Sequence, residues 1–252
     1  MDSSQGITVP QIADRLAARL RPEGSPLMYQ SWGSLLFMHW RFPADVIKSL
    51  LPERLSVDLF HGSAWVAITP FTLWNARPKF TPPLPWVSDF HETNVRTYVH
   101  VDGVPGVWFF SLDASSTLPV LGARALYHLP YYDADIEFIR RDDRVDYRLT
   151  RSAERPAHLI ASWTIGDSLP EALPGSLEFF LTERYCLYAE HKDELYRARI
   201  HHRPWPLQSA LLENLETDLF AANGLPEPVE EPLVHSGGPV DVEVWPLHKV
   251  GG

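Results

Sequence analysis

An alternating row of polar side chains is the part of the chain best suited to chemistry. In the segment Glu92-Thr-Asn-Val-Arg-Thr-Tyr-Val-His100, every second residue is charged or polar. Successive side chains of a strand point to opposite faces. One face of this strand would therefore carry Glu92, Asn94, Arg96, Tyr98 and His100. A buried glutamate can act as a general acid or base, and an arginine can hold a carboxylate, so the row predicts a site.

The strand that follows indicates whether this polar row is exposed to solvent. Asp102-Gly103 predicts a tight turn, and the run from Val107 to Phe110 is apolar on both of its faces. A strand with two apolar faces is usually covered on both sides. If the two strands pair, we expect the polar row to line a cavity. A satisfied ion-pair network that braces the sheet is the competing interpretation of the same residues.

Composition excludes several classes of function. The 252 residues are 45% hydrophobic, which allows a sizeable core. A net charge of −10 argues against nucleic-acid partners and anionic membrane surfaces, because both call for clustered Lys and Arg. No apolar run approaches the ~20 residues of a membrane span. No secretory signal is visible either, so we expect a cytoplasmic protein without a membrane partner.

Motifs of other reaction classes are weak in this sequence. The 11 histidines lack metal-ligand spacing, so we expect no metal, although a site assembled from distant residues stays open. There is no Gly-x-Ser-x-Gly elbow and no P-loop, and we expect no cofactor. The single cysteine, Cys186, excludes an internal disulfide, and its apolar and aromatic neighbours are typical of a buried structural thiol.

Many short strands and a few helices predict an α+β fold. Ile12, Leu16 and Leu20 recur at four-residue spacing, which indicates an amphipathic helix over residues 7–20. We interpret residues 1–28 as an N-terminal helix and extension, and residues 29–252 as a single domain. Further helices are predicted over residues 43–51 and 176–185. A last one is predicted from Gln208 to Ala222, with Gly224 as its stop signal.

Several segments resemble the YqjF-like family of uncharacterised proteins. They are Trp32-Gly-Ser-Leu-Leu-Phe-Met-His-Trp-Arg-Phe-Pro, Glu92-Thr-Asn-Val-Arg-Thr-Tyr-Val, Gly106-Val-Trp-Phe-Phe-Ser-Leu-Asp, Arg184-Tyr-Cys-Leu and His202-Arg-Pro-Trp-Pro-Leu-Gln. The resemblance runs from about Tyr29 to Leu247. That family is grouped with the acetoacetate decarboxylase-like superfamily. The resemblance implies a mostly antiparallel, closed or nearly closed β-barrel with flanking helices and an internal pocket.

The resemblance to the decarboxylase itself implies roles for particular residues. Arg41 opens a segment similar to the one in which a pocket arginine precedes a helix, and Glu92 stands where the decarboxylase has a pocket glutamate. The segment around Arg124 resembles its Gly-Arg-Glu stretch, which runs on to Pro-Lys. That lysine forms a Schiff base with the keto acid, but here the position is Tyr131. A phenol cannot form an imine, so we expect imine-type decarboxylation to be lost.

Two groups of candidate site residues follow. The catalytic candidates are Glu92, Tyr131, Arg41 and Arg124. Glu92 would move a proton, and the arginines would bind a carboxylate or enolate oxygen. Tyr131 would donate a hydrogen bond to a carbonyl, or act as an acid if its pKa falls. The substrate-binding candidates are His39, Asn94, Arg96 and Tyr98.

Three functions stay open at this point. The first is an enzyme (a lyase, isomerase or hydrolase) that acts on a small carbonyl or carboxylate compound without a Schiff-base lysine. The second is a non-catalytic protein that binds such a ligand. The third is a structural or interaction protein in which the polar row is only a buried network. The first two predict a small-molecule partner, and a homo-oligomer is compatible with all three.

Overall fold

The computed structural model describes residues 9–83, 88–116, 127–152 and 155–251. The elements found in these ranges are the helices α1 (Ile12–Arg19), α2 (Ala44–Ser49), α3 (Leu177–Thr182) and α4 (Leu219–Ala222), and the strands β1 (Met28–Gly33), β2 (Leu35–Phe42), β3 (Ser56–Val57), β4 (Ala64–Pro78), β5 (Phe90–Val101), β6 (Val104–Ala114), β7 (Tyr131–Asp133), β8 (Asp135–Arg141), β9 (Arg144–Arg151), β10 (Ala157–Ser168), β11 (Cys186–His191), β12 (Glu194–His201), β13 (Leu207–Thr217), β14 (Leu233–Gly237), β15 (Val240–Val244) and β16 (His248–Lys249). The chain is thus a mostly-sheet α+β protein.

The strands form one mostly antiparallel sheet whose pairings return to their starting point. Strand β5 pairs with β4 along one edge and with β6 along the other. From β6 the pairings run through β11, β12, β15 and β1 back to β4. From β4 the sheet also continues through β2, β14, β13, β10 and β9 to β8. The long strand β5, which carries the polar row, therefore has hydrogen-bonded neighbours on both edges.

Two hydrophobic cores lie on opposite faces of the sheet, and alternation along β2 supplies both. Met38 and Trp40 belong to an outer core, which also takes in residues of β8, β9, β10 and α4. Leu35 and Phe37 point the other way, into an inner core formed with residues of β4, β5, β6 and β15. The apolar faces of β6 follow the same rule, with Phe109 in the inner core and Trp108 against the outer one. As predicted, β6 is covered on both faces.

The helix predicted from Gln208 to Ala222 is wrong. Most of this segment is strand β13, and only the short α4 follows it. The register of β13 against β10 shifts beyond Leu212, so an extra residue bulges out there. The bulge places Leu212 and Leu215, three residues apart, on the same outer core. A bulged strand therefore imitates the spacing of a helix, and its Ala, Leu and Glu content favours the same misreading.

The N-terminal helix is observed as α1, but its apolar stripe does not pack against either hydrophobic core of the protein. Ile12 and Leu20 are 51% and 70% exposed, whereas Ala18 is buried. Arg15 reaches under the helix and forms two hydrogen bonds with the buried carboxylate of Asp58, at 2.6 and 2.7 Å. The ion pair therefore sets the orientation of α1. None of the helices in the described ranges is long and apolar enough to cross a membrane.

Candidate functional site

A cavity of about 400 Å3 lies among the residues of the inner core. This volume is within the range of roughly 300–1,000 Å3 that is usual for small-molecule sites. Most of its wall is apolar and includes Trp32, Phe71, Phe90, Phe109, Leu112 and Trp205. The polar side chains on the wall include Glu92, Asn94, Arg96, Tyr131, Arg184 and His202. A few polar groups on an apolar wall are typical of a site that orients one ligand.

Strand alternation brings the first three polar residues to the wall. Glu92, Asn94 and Arg96 of β5 line the cavity, while Val95 packs in the outer core. Tyr131 reaches the same place because it opens β7, which pairs in parallel with the end of β6. The polar row predicted from the sequence is therefore observed, and three of its five members line the cavity.

Glu92 and Tyr131 form a hydrogen-bonded pair on the cavity wall. The hydroxyl of Tyr131 donates to Oε2 of Glu92 at 3.0 Å. Burial raises the pKa of Glu92 to about 8; the hydrogen bond from Tyr131 opposes this rise, and the nearby carboxyl of Asp113 adds to it. Burial also raises the pKa of Tyr131 well above its ordinary value, and Glu92 adds to the rise. Glu92 can therefore gain or lose a proton near neutral pH, whereas Tyr131 keeps its proton and serves as a donor.

Arg96 is a cation on the cavity wall with no anionic partner in the described ranges. Its guanidinium carbon lies 5.6 Å from the ring centroid of Phe37 and 6.0 Å from that of Tyr98. Its Nε is buried without a hydrogen-bond partner. The charge of Arg96 also lowers the pKa of His39, after burial, so that the histidine beside it is held neutral. The guanidinium is thus held by aromatic contacts and not by an ion pair.

Two of the predicted substrate contacts, His39 and Tyr98, lie behind the wall and not on it. Their side chains are buried and are joined by a hydrogen bond of 2.8 Å. The hydroxyl of Tyr98 also donates to the backbone carbonyl of Leu181 at 2.9 Å, so Nε2 of His39 must be the donor in the first bond. This arrangement fixes the ring of Tyr98 against Arg96. The two residues can position a cavity group, but they do not face the cavity.

The prediction that Arg41 acts in the pocket is wrong for this structure. Arg41 has the same strand parity as His39, as expected, but it lies near the end of β2, outside the cavity. Its side chain is 55% exposed and pairs with Glu230 at 2.9 Å. The strand is simply long enough to carry the arginine past the pocket into solvent. The other predicted catalytic arginine, Arg124, lies outside the described residues.

Arg184 and His202 line the cavity, although the sequence did not mark them as site residues. Arg184 is buried and pairs with Asp58 at 2.5 Å, and it shares this carboxylate with Arg15. Burial lowers the pKa of His202 to about 4, so this histidine is neutral at neutral pH. Both belong to segments that carry the family resemblance, which was the available signal. Neither stands in an alternating pattern, so strand periodicity could not find them.

The cavity wall includes no lysine. All four lysines of the chain fall in the described ranges, and they lie elsewhere. Lys48 donates to the backbone carbonyls of Glu53 and Leu55, and Lys249 pairs with Glu194 on the surface. No three His, Cys, Asp or Glu side chains in the described ranges are grouped as a metal site requires. The Glu92–Tyr131 pair on the wall offers proton transfer and hydrogen bonding.

A second polar cluster lies on the outer side of β5 and fits the structural interpretation better. Arg151 and Asp113 form a fully buried ion pair with an N–O distance of 3.2 Å. Nearby, the hydroxyls of Thr93 and Tyr147 are joined at 2.8 Å. Burial raises the pKa of Asp113 to about 6, and Arg151 opposes the rise. This ion pair consists of other residues than the Glu92 row, so the bracing network proposed for that row stays a prediction.

Residues 29–241 match a protein family, DUF2071, that is described as an uncharacterized conserved protein. The chain is 40% identical over 228 residues to the uncharacterized protein YqjF of Bacillus subtilis, covering 90% of this chain and 94% of YqjF. Among solved structures it is similar to the enduracididine biosynthesis enzyme MppR complexed with pyruvate, with a TM-score of 0.64 and 14% identity over 90% of this chain and 91% of MppR. It is also similar to acetoacetate decarboxylase from Legionella pneumophila, with a TM-score of 0.61 and 12% identity over 98% of each chain. At such low identity these structural likenesses show a shared fold.

Proposed function

The chain belongs to the DUF2071 family, and from its buried Glu92–Tyr131 pair we propose that it is an enzyme that moves a proton on a small carbonyl compound. The single observation that carries the proposal is this hydrogen bond on the wall of an apolar cavity. Enzymes place acid–base groups where burial brings their pKa values near the working pH. The pKa of about 8 at Glu92 meets that requirement.

The two side chains divide the work in the proposed reaction. An oxygen of ionised Glu92 takes the proton from the carbon next to the carbonyl. The electron pair of the broken C–H bond moves into the new carbon–carbon double bond, and the carbonyl oxygen becomes negative. Tyr131 turns its hydroxyl from Glu92 to that oxygen and stabilises the charge by a hydrogen bond. Return of the proton to another carbon gives an isomerase, and loss of a leaving group gives a lyase.

This chemistry does not pass through a Schiff base. An imine needs an amine, and no lysine of the chain lines the cavity. MppR, which has a similar fold, is complexed with pyruvate, and this supports a small carbonyl compound as the ligand class. We also propose that the circuit of β5, β6, β11, β12, β15, β1 and β4 is the barrel expected of such proteins, with the cavity as its internal pocket.

Exchange of carbon-bound hydrogen tests the proposal directly. Pyruvate and longer ketones are incubated with the protein in heavy water, and loss of the proton signals next to the carbonyl is followed by NMR. We expect exchange to be accelerated by the wild-type protein and at least a hundredfold slower in Glu92→Gln. Tyr131→Phe should slow exchange to a smaller degree. Glu230→Gln, which changes an exposed glutamate, is the matched control and should exchange at the wild-type rate.

The same experiment separates the enzyme from a ligand-binding protein. If the ketones bind, as shown by calorimetry, but the protein accelerates no exchange, the proposal is wrong and the non-catalytic function is favoured. If Glu92→Gln exchanges as fast as the wild-type protein, the role of Glu92 is wrong even though the cavity binds ligand. Circular dichroism of each variant shows whether the fold is retained.

A further inference from the structure

Arg96 is the feature of the cavity that the proposed proton transfer does not use. Arg96 is half-buried, and partial removal of a charge from water costs free energy that an opposite charge or hydrogen bonds can offset. Arg184 on the same wall has its partner in Asp58. Arg96 has no carboxylate within ion-pair distance in the described ranges, and its Nε is unbonded. Within the described ranges, Arg96 is thus a cation on the cavity wall that has no carboxylate partner.

The other ionisable groups on the wall do not balance this charge. Burial holds Glu92 mostly protonated at neutral pH, because its pKa is about 8. Burial lowers the pKa of His202, so this histidine carries no charge, and Tyr131 keeps its proton. At neutral pH the wall therefore has a net positive charge at Arg96. A neutral ligand would leave that charge unpaired, whereas an anionic one would satisfy it.

The strand sets the separation between this cation and the proton-transfer pair. Glu92 and Arg96 are four residues apart on β5, which at about 3.3 Å per residue is roughly 13 Å between their Cα atoms. The guanidinium of Arg96 lies between the rings of Phe37 and Tyr98. The two functional groups therefore stand at different places along the cavity. A ligand that reaches both must carry its acidic group several bonds away from its reacting carbonyl.

We propose that the cavity binds oxo acids whose carboxylate pairs with Arg96 and whose ketone, several carbon atoms away, meets Glu92 and Tyr131. The wall between the two ends carries the apolar Phe109 and Leu112 on β6 and the polar Asn94 and Thr69. The assignment of the ketone end rests on the proposed function, whereas the pairing of the carboxylate with Arg96 does not.

Binding measurements with matched probes test the assignment. The probes are a series of linear oxo acids from 4-oxopentanoate to 8-oxononanoate, each with its neutral amide, titrated by calorimetry. We expect the longer acids to bind at least tenfold tighter than their amides to the wild-type protein. Arg96→Gln should remove this difference by weakening the acids and not the amides. Arg96→Lys, which keeps the charge, should retain part of it.

Two further variants make the result specific to the cavity. Arg41→Gln removes an exposed arginine of the neighbouring strand and should leave the difference between acid and amide unchanged. Glu92→Gln should bind the acids normally while exchange of their carbon-bound hydrogen is lost, so failure of the proton-transfer role is visible separately. The proposal is overturned if no oxo acid of the series binds, if acids and amides bind equally well to the wild-type protein, or if Arg96→Gln keeps the preference for acids.

Discussion

The hydroxyl of Tyr131 lies 3.0 Å from Oε2 of Glu92, at the place where β7 meets the end of the polar row on β5. The tyrosine is a permanent donor and the glutamate is an acid poised near neutral pH. The pair therefore contains the proton acceptor and the hydrogen-bond donor that the proposed reaction requires.

The pH dependence of the exchange of carbon-bound hydrogen in the ketone should follow the ionisation of Glu92. Only the ionised carboxylate can take a proton, so the rate should rise about tenfold per pH unit and level off above pH 8. The hydrogen bond from Tyr131 favours the ionised form, so Tyr131→Phe should move the midpoint to higher pH. NMR exchange rates between pH 5 and pH 10 measure both effects. A rate that is independent of pH over this range would contradict the assignment of Glu92 as the base.

Stability should depend on pH through the same residue. The pKa of Glu92 is about 8 in the folded protein, against an ordinary value of 4.5. Between these values the folded protein binds a proton that the unfolded chain releases, so stability falls as pH rises. The Glu92→Gln variant has no carboxyl to ionise at this position, so its free energy of unfolding should fall less as pH rises. Relative to the wild-type protein, its free energy of unfolding should increase by on the order of a few kcal/mol between pH 5 and pH 9. Chemical denaturation at the two pH values measures the difference in free energy of unfolding between the variant and the wild-type protein. If this difference is the same at pH 5 and at pH 9, the pKa of Glu92 is not raised.

The two cavity arginines should respond to neutralisation in opposite ways. Arg184→Gln removes one of the two guanidinium groups that bind the buried carboxylate of Asp58, so it should lower the free energy of unfolding by about 2 kcal/mol. Arg96→Gln removes a charge that has no partner in the described ranges, so stability should stay equal or increase. Denaturant midpoints of the two variants make the comparison. A large loss of stability in Arg96→Gln would reveal a partner for that charge.

Reductive trapping should find no imine in the wild-type protein. With pyruvate and borohydride, we expect its mass to stay unchanged, because the cavity wall carries no amine. Tyr131→Lys places an amine in an apolar site, where burial lowers its pKa and makes it nucleophilic, so a reduced adduct on that residue is expected. Mass spectrometry of the intact protein and of its peptides reads out both. A stoichiometric adduct on a lysine of the wild-type protein would sink the prediction.

Strand alternation predicted the central part of this site well. Glu92, Asn94 and Arg96 face one cavity because side chains alternate between the two faces of a strand. This alternation is a local property, so it can be read directly from the sequence. The placement of Tyr131 beside Glu92 follows from the parallel pairing of β7 with β6, which is long-range. The sequence suggested the two residues as members of one site only through family resemblance.

Arg41 and β13 show where local pattern fails. Arg41 has the expected parity, but parity does not tell how far a strand runs past the end of a cavity. In β13, one bulge gives Leu212 and Leu215 the spacing of a helix. Both errors arise because tertiary pairing, and not local sequence, fixes the extent and register of a strand.

Hydrogen bonding on both edges of β5 has a consequence for selectivity. Glu92 pairs with Phe71 on β4 and Ala114 on β6, and Arg96 pairs with Ala67 and Phe109. A strand held in this way cannot stretch or slide, so the site has a fixed length. Within a homologous series of ligands, affinity should peak sharply at one chain length, and a member one carbon atom too short should lose contact at one end. Protein engineering of this cavity would therefore change the preferred length by moving the cation two residues along β5, to the position of Asn94.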